Sequence, residues 1–145
     1  MEILFGNLDS YYPYWALNEE LHNKMTGVNK PLHVDAFWGD IEHTREYPYF
    51  IAEIPKKGAL FAYFVEDITV LDNVYVHKDQ RGKGIFKNLL KCLHVRALAM
   101  GSTEIRVTIA PENTDAVATY LNSGFEYVSR NKFSLKIEEY KERGR

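Results

Sequence analysis

The sequence predicts a mixed α/β (α+β) domain, built as a mostly antiparallel sheet of about six to seven strands flanked by about four helices. Two observations carry this reading. Three runs rich in Phe, Ile and Val (Tyr49 to Ile54, Ala59 to Glu66, Leu71 to His77) follow one another at hairpin spacing, as in an antiparallel meander. The stretch Val74 to Phe86 then passes from period-two alternation, through a glycine-spaced basic loop, into an apolar stripe of helical period, which is a strand, a turn and a helix. At 145 residues, with 46% hydrophobic and 26% charged residues, the chain is long enough for one compact core and short for two, so residues 1–145 are read as a single domain.

The elements follow in order. Met1 to Phe5 reads as a short strand. Asp9-Ser10 can cap a helix over Tyr14 to Met25, in which Trp15, Leu17, Leu21 and Met25 repeat at near-helical spacing. The aromatic cluster Tyr11, Tyr12, Tyr14 and Trp15 suits packing of that helix on a sheet better than lining a substrate site. Residues 26–47, with Gly27, Pro31 and Gly39, read as a second short helix or an irregular loop. After the meander, Ile85, Phe86, Leu89, Leu90, Leu93, Ala97 and Leu98 stripe the main helix, and Gly101 stands where such helices end. Ser102 to Ile109 alternates as a strand. Pro111 to Thr114 opens a short helix with Ala116, Val117, Tyr120 and Leu121 on one side and Gly124 closing it. Phe125 to Ser129 and Lys132 to Ile137 are strands joined by a turn at Arg130-Asn131, and the charged tail from Glu138 frays.

Composition narrows the function classes. The single cysteine, Cys92, lies among Leu89, Leu90 and Leu93 and is expected to be a buried apolar residue rather than a nucleophile. His33, Asp35 and His43 match no ligand spacing of zinc or iron, so no metal is expected. The apolar start at Met1 to Gly6 is too short for a signal or a membrane span, and a cytoplasmic protein is expected. The net charge of −2 is unevenly placed: residues 1–72 hold 12 Asp and Glu against 5 Lys and Arg, and residues 73–145 hold 8 against 13. An anionic cofactor suits the second half and a cationic amine the first. Nucleic-acid binding is disfavoured by the acidic first half and by the lack of a basic stripe with interleaved aromatics.

The chemistry concentrates at Val74 to Phe86. Gly82 and Gly84 let main-chain N–H groups converge on an anion at a helix start, where unpaired donors and the helix dipole favour negative charge, and Arg81 and Lys83 add cations. Lys83, Lys87 and Lys91 recur along the helix as a solvated face, the first also within reach of a phosphate. The loop is neither a Walker loop, since Gly84 follows Lys83, nor a dinucleotide fingerprint, since only Gly82-Lys83-Gly84 is present.

Arg81-Gly82-Lys83-Gly84-Ile85-Phe86 resembles the acetyl-CoA-binding signature R/Q-x-x-G-x-G/A of the GNAT N-acetyltransferase superfamily. Asn113 to Phe125 resembles the second landmark of that family, N-x-x-A-x-x-x-Y-x-x-x-G-F, in the right order and spacing. The likeness covers residues of about 70 to 137 well and the first half loosely. Phe86 stands where the family usually has a small residue, so its side chain must point away from the pyrophosphate. The resemblance implies an acyl-CoA-dependent N-acetyltransferase that moves the acetyl group of acetyl-CoA to a primary amine by direct attack. It implies main-chain contacts from Val74, Tyr75 and Val76 to the pantetheine arm. Arg81, Gly82, Lys83, Gly84, Ile85 and Phe86 would hold the pyrophosphate, with Asn113 and Tyr120 also at the cofactor. Tyr120 is the implied acid for the departing thiolate. The base stays open between Asp72, Glu66 and Glu53, each of which could equally serve a salt bridge or an edge strand, while His77 shapes the strand end. By the same analogy residues 26–47 border the acceptor groove. The expected partners are an amine-bearing acceptor, small molecule or protein, and, as an open option, a second copy in a homodimer, with no nucleic acid and no membrane. The rival reading is a fold relative without turnover that docks on or inhibits a partner, for which Phe86 and the unusual first half speak.

Overall fold

The aromatic and β-branched runs of the meander form β2 (Tyr49–Ile54), β3 (Gly58–Val65) and β4 (Ile68–Val76), each antiparallel to the next. They belong to a computed structural model that describes residues 2–27, 37–38, 42 and 46–137. β2 keeps its expected bounds. β4 starts three residues earlier than the sequence suggests, because the link from β3 is only Glu66-Asp67, with Glu66 in the left-handed region at φ 55°. Ile68 to Val70 are thereby drawn into pairing with Val65 to Tyr63.

Seven strands make one sheet in the order β1-β2-β3-β4-β5-β7-β6, with β1 at Leu4–Phe5, β5 at Glu104–Thr108, β6 at Glu126–Ser129 and β7 at Lys132–Lys136. Every neighbouring pair is antiparallel except β4 and β5, as the expected fold class requires. The β6–β7 turn uses Arg130 and Asn131, both at positive φ (42° and 67°), which places β7 between β5 and β6.

Three helices longer than a turn lie among the described residues, against the four expected. The segment 26–47 that would supply the other falls largely outside the described residues, as do His33, Asp35, His43 and the tail from Glu138. Helix α1 (Leu8–Thr26) starts well before Tyr14. Its cap is Asn7, not Asp9-Ser10: Asn7 Oδ1 accepts from Ser10 N at 2.9 Å while Asn7 N donates to Ser10 Oγ at 3.0 Å, a reciprocal box strong enough to start the helix ahead of Pro13. The buried face of α1 is Tyr11, Tyr14 and Trp15, at i, i+3 and i+4, whereas Leu17 and Met25 of the expected stripe are exposed.

Helix α2 (Ile85–Ala99) buries Ile85, Leu89, Leu90, Leu93 and Ala97. Leu98, placed on the stripe by the sequence, is exposed, and Cys92 is half-buried rather than fully enclosed, its thiol pushed up by burial. Ser102 N donates to Ala97 O and Gly101 N to Leu98 O, which closes α2 and starts β5 later than Ser102. Helix α3 (Thr114–Asn122) is capped by Asn113 Oδ1, which accepts from Ala116 N at 3.1 Å; Leu121 lies on its exposed side.

The helices cover opposite sheet faces. Phe50, Ala52, Leu60, Ala62 and Leu71 meet α2, while Ile51, Ala59, Phe61 and Tyr75 meet α1 and Phe37. β3 is thus apolar on both sides. No helix among the described residues is long and apolar enough to cross a membrane.

β5 is tied to β7 by one buried carboxylate. Glu104, 6% exposed, accepts from Ser134 Oγ at 2.5 Å, from Lys136 Nζ at 2.8 Å and from Arg106 at 2.5 Å. Burial by itself would raise its pKa, but the three donors outweigh it and bring the carboxyl down to about 2 from an ordinary value of 4.5. A carboxyl depressed by folding contributes stability that is present above the unfolded value and lost as pH falls. Because both cationic partners are exposed, we expect about 2 kcal/mol at neutral pH. Glu104→Gln should lower the melting temperature at neutral pH, and the gap to wild type should close between pH about 4.5 and about 2. A gap that stays constant through that window, measured by circular dichroism, would remove the charge from this account.

Candidate active site: a split between two parallel strands

β4 is interrupted by a bulge. Phe61 pairs with Asn73 and Ala62 with Leu71, which leaves Asp72 as the extra residue. The bulge reverses the strand's parity: Leu71, Val74 and Val76 all pack on the α2 side, while Asn73 and Tyr75 face α1. At the same point the parallel pairing ends, since β5 matches β4 only from Ile68↔Glu104 to Leu71↔Val107. Asp72 to Val76 therefore run on without β5 beside them.

Beyond Val76 the chain makes one 3-10 turn (Lys78–Gln80) and enters α2 through Arg81 to Gly84. Gly82 and Gly84 lie at φ 76° and 82°, in the left-handed region that a Cβ disfavours. Gly84 is the N-cap of α2 and supplies no side chain, and the first helical bond recorded there is Asn88 N to Gly84 O. The N–H groups of the first turn are thus left for an anion. Arg81 Nε donates to Val76 O at 3.1 Å, which fixes the loop against the end of β4 and keeps the guanidinium beside those donors.

A cleft of about 570 Å³ joins the strand split to this loop. It is lined by Val74, Tyr75, Val76, Arg81, Gly82, Gly84, Ile85, Phe86, Asn113 and Tyr120, which the sequence singled out; Lys83, also singled out, does not line it. Phe86 turns its ring edge-on to Tyr120 at 5.0 Å, and Tyr120 in turn meets Phe125 at 5.1 Å. Burial pushes the Tyr120 phenol above the ordinary phenol range, so it keeps its proton at neutral pH.

The acidic candidates are not gathered in the same way. Glu66 sits in the turn before β4, at the opposite end of a strand of about 25 Å, and does not reach the cleft. Glu53 accepts from Tyr14 Oη at 2.5 Å on the α1 face, where burial and then that bond raise Tyr14 to about 12. Asp72 is exposed at the bulge, beside the start of the split, although it is not among the lining residues. His77 packs its ring on Tyr75 and Tyr14, the strand-end role read from the sequence. Among the described residues no group of three His, Cys, Asp or Glu could hold a metal ion.

The sequence reading missed the third wall. Asn18, Leu21 and Met25 of α1 line the cleft, as do Gln80, Asp115, Thr119 and Ser123. The i, i+3, i+7 spacing of the α1 residues shows that they share a face, but nothing local says what that face meets.

The family model for the acetyltransferase (GNAT) family matches residues 14–125. Among solved structures, an acetyltransferase of the GNAT family from Staphylococcus aureus Mu50 superposes with a TM-score of 0.75 at 17% identity, covering 94% of this chain and 98% of that one. The PaiA N-acetyltransferase from Thermoplasma acidophilum, in complex with coenzyme A, gives 0.65 at 16% identity (94% and 99%). The ribosomal-protein-S18-alanine N-acetyltransferase from Escherichia coli gives 0.67 at 18% identity (94% and 94%). No curated protein sequence matches the chain. The structural likenesses, all below 25% identity, show the fold, and the match of the family model over most of the chain shows the lineage: the protein belongs to the acetyltransferase (GNAT) family.

Proposed function

We propose that the protein is an N-acetyltransferase that takes the acetyl group of acetyl-CoA and passes it to a primary amine by direct attack. The observation that carries this is the continuity of the cleft from the anion-ready start of α2, along the unpaired end of β4, to the hydroxyl-bearing ring of Tyr120. The coenzyme A bound by the Thermoplasma relative supports the same ligand here.

In this reading the first-turn N–H groups of α2, with Arg81 and the nearby Lys83, hold the pyrophosphate, and the main chain of Val74 to Val76 pairs with the pantetheine arm as a missing strand would. Acetyl-CoA supplies an acetyl thioester, whose carbonyl carbon accepts the amine and whose sulfur leaves with the bond electrons. Tyr120, protonated at neutral pH, hydrogen-bonds the sulfur and delivers a proton to it. An alkyl amine has an ordinary pKa near about 10 and must shed a proton before it attacks. In this reading Asp72, at the bulge, draws in the ammonium and takes that proton through water, while Glu66 lies at the far end of β4.

Tyr120→Phe keeps the ring contacts to Phe86 and Phe125 and removes only the oxygen. Acetyl-CoA affinity and melting temperature should change little, while single-turnover acetyl transfer slows by about tenfold or more. Transfer within about twofold of wild type would leave Tyr120 as a packing residue.

Gly84 offers a second check with an internal control, because Gly101 has the same φ of 82° but ends α2 away from the cleft. Alanine at either position should strain the backbone by about 1–2 kcal/mol. Only Gly84→Ala should also weaken acetyl-CoA binding in calorimetry, since its Cβ stands at the donor cluster. Equal affinities in the two folded variants would move the phosphate site elsewhere.

A further inference from the structure

Helix α1 is used in two ways along its length. Tyr11, Tyr14 and Trp15 bury its first half on the sheet, and its second half turns Asn18, Leu21 and Met25 to the cleft. Asn18 is the only polar residue that α1 contributes to that lining. Its Nδ2 donates to Asn73 Oδ1, the residue just past the bulge and just before the strand segment Val74 to Val76. No partner for Asn18 Oδ1 is present among the described residues.

The direction of this hydrogen bond orients the Asn18 amide. Asn18 Nδ2 is spent on Asn73 Oδ1, so Asn18 Oδ1 is the polar atom left over. A side-chain amide fastened by its nitrogen presents its oxygen to the open side.

From this geometry we propose that Asn18 is a binding residue for the pantetheine arm, its Oδ1 accepting the amide N–H nearest the thioester. The inference rests on the cofactor reading given above. Under that reading the pyrophosphate lies at the loop and the sulfur near Tyr120, so the arm runs from Val76 toward Val74 and its inner amide comes to the Asn73 end, where Asn18 stands. On this wall Leu21 carries no acceptor and the Met25 thioether only a weak one, so an arm amide N–H turned from the strand toward α1 would lose its hydration with little compensation. Asn18 supplies that acceptor, pre-oriented by its bond to Asn73.

The test compares coenzyme A with the adenosine bisphosphate half of the same molecule, which lacks the arm, by calorimetry on wild type and Asn18→Leu. Asn18→Leu should weaken coenzyme A by about ten- to thirtyfold and leave the adenosine bisphosphate unchanged. Unchanged affinity for coenzyme A in Asn18→Leu overturns the proposal while the cofactor reading stands. Equal weakening of both ligands also overturns it, because the loss then lies at the phosphate loop. A rise in the amine KM alone assigns Asn18 to the acceptor and overturns it too. If wild type itself binds no coenzyme A, both the cofactor reading and this inference fall together.

Discussion

The cleft depends on one extra residue in one strand. Asp72 adds a position to β4 that β3 does not match, and the parallel register with β5 stops at the residue before it. Without that bulge, Leu71, Asn73 and Tyr75 would share a face, and Val74 and Val76 would turn toward α1. With it, Val74 and Val76 join the core under α2 and Tyr75 packs beneath α1, so both faces stay sealed while the strand swings away from β5. The energetic logic is that of an unfinished sheet edge. Main-chain donors and acceptors between Asp72 and Val76 lack the neighbour that β5 would have provided, and an extended ligand with amide groups can take its place.

Much of this was legible where the determinants are local. The strand, glycine loop and helix of Val74 to Phe86 lie contiguous in sequence, and each part is fixed by neighbours within a few positions, so spacing alone located the loop that the cleft includes. Asn113 before Thr114 and the Arg130-Asn131 turn are of the same kind. The bulge itself left a trace that plain alternation hides: Leu71-Asp72-Asn73-Val74 places two polar residues together inside an otherwise alternating run. Its meaning depends on the pairing with Phe61 and Ala62, which no window on β4 contains. The same limit applies to the acids. Glu53, Glu66 and Asp72 sit on strands or turns of similar appearance, and only the topology shows that one is held by Tyr14, one lies at the far end of β4 and one stands at the split. The start of α1 was misplaced for a nearer reason, since a capping box of Asn7 with Ser10 replaces the expected Asp9-Ser10 signal.

The two sides of the sheet are held by different forces, and the difference bears on what each can do. Under α2 the contacts are almost wholly apolar, from Phe50 and Leu60 to Leu89 and Leu93, a seam whose stability grows with area and which tolerates few vacancies. Under α1 the aromatic packing of Tyr11 on Phe61 and of Trp15 on Phe37 is mixed with directed polar contacts, Tyr14 to Glu53 and Asn18 to Asn73. Each such contact contributes little net stability because both partners give up water, yet each is costly to misplace. Polar pairs therefore fix the rotation and height of α1 on the sheet more sharply than an apolar seam of equal area would. That matters most for the half of α1 that overhangs the cleft, where a small rotation would exchange the amide of Asn18 for the apolar flank of Leu21. The wall facing the split strand is thus set by hydrogen-bond geometry, and the wall carrying the glycine loop by hydrophobic packing of the helix that the loop begins.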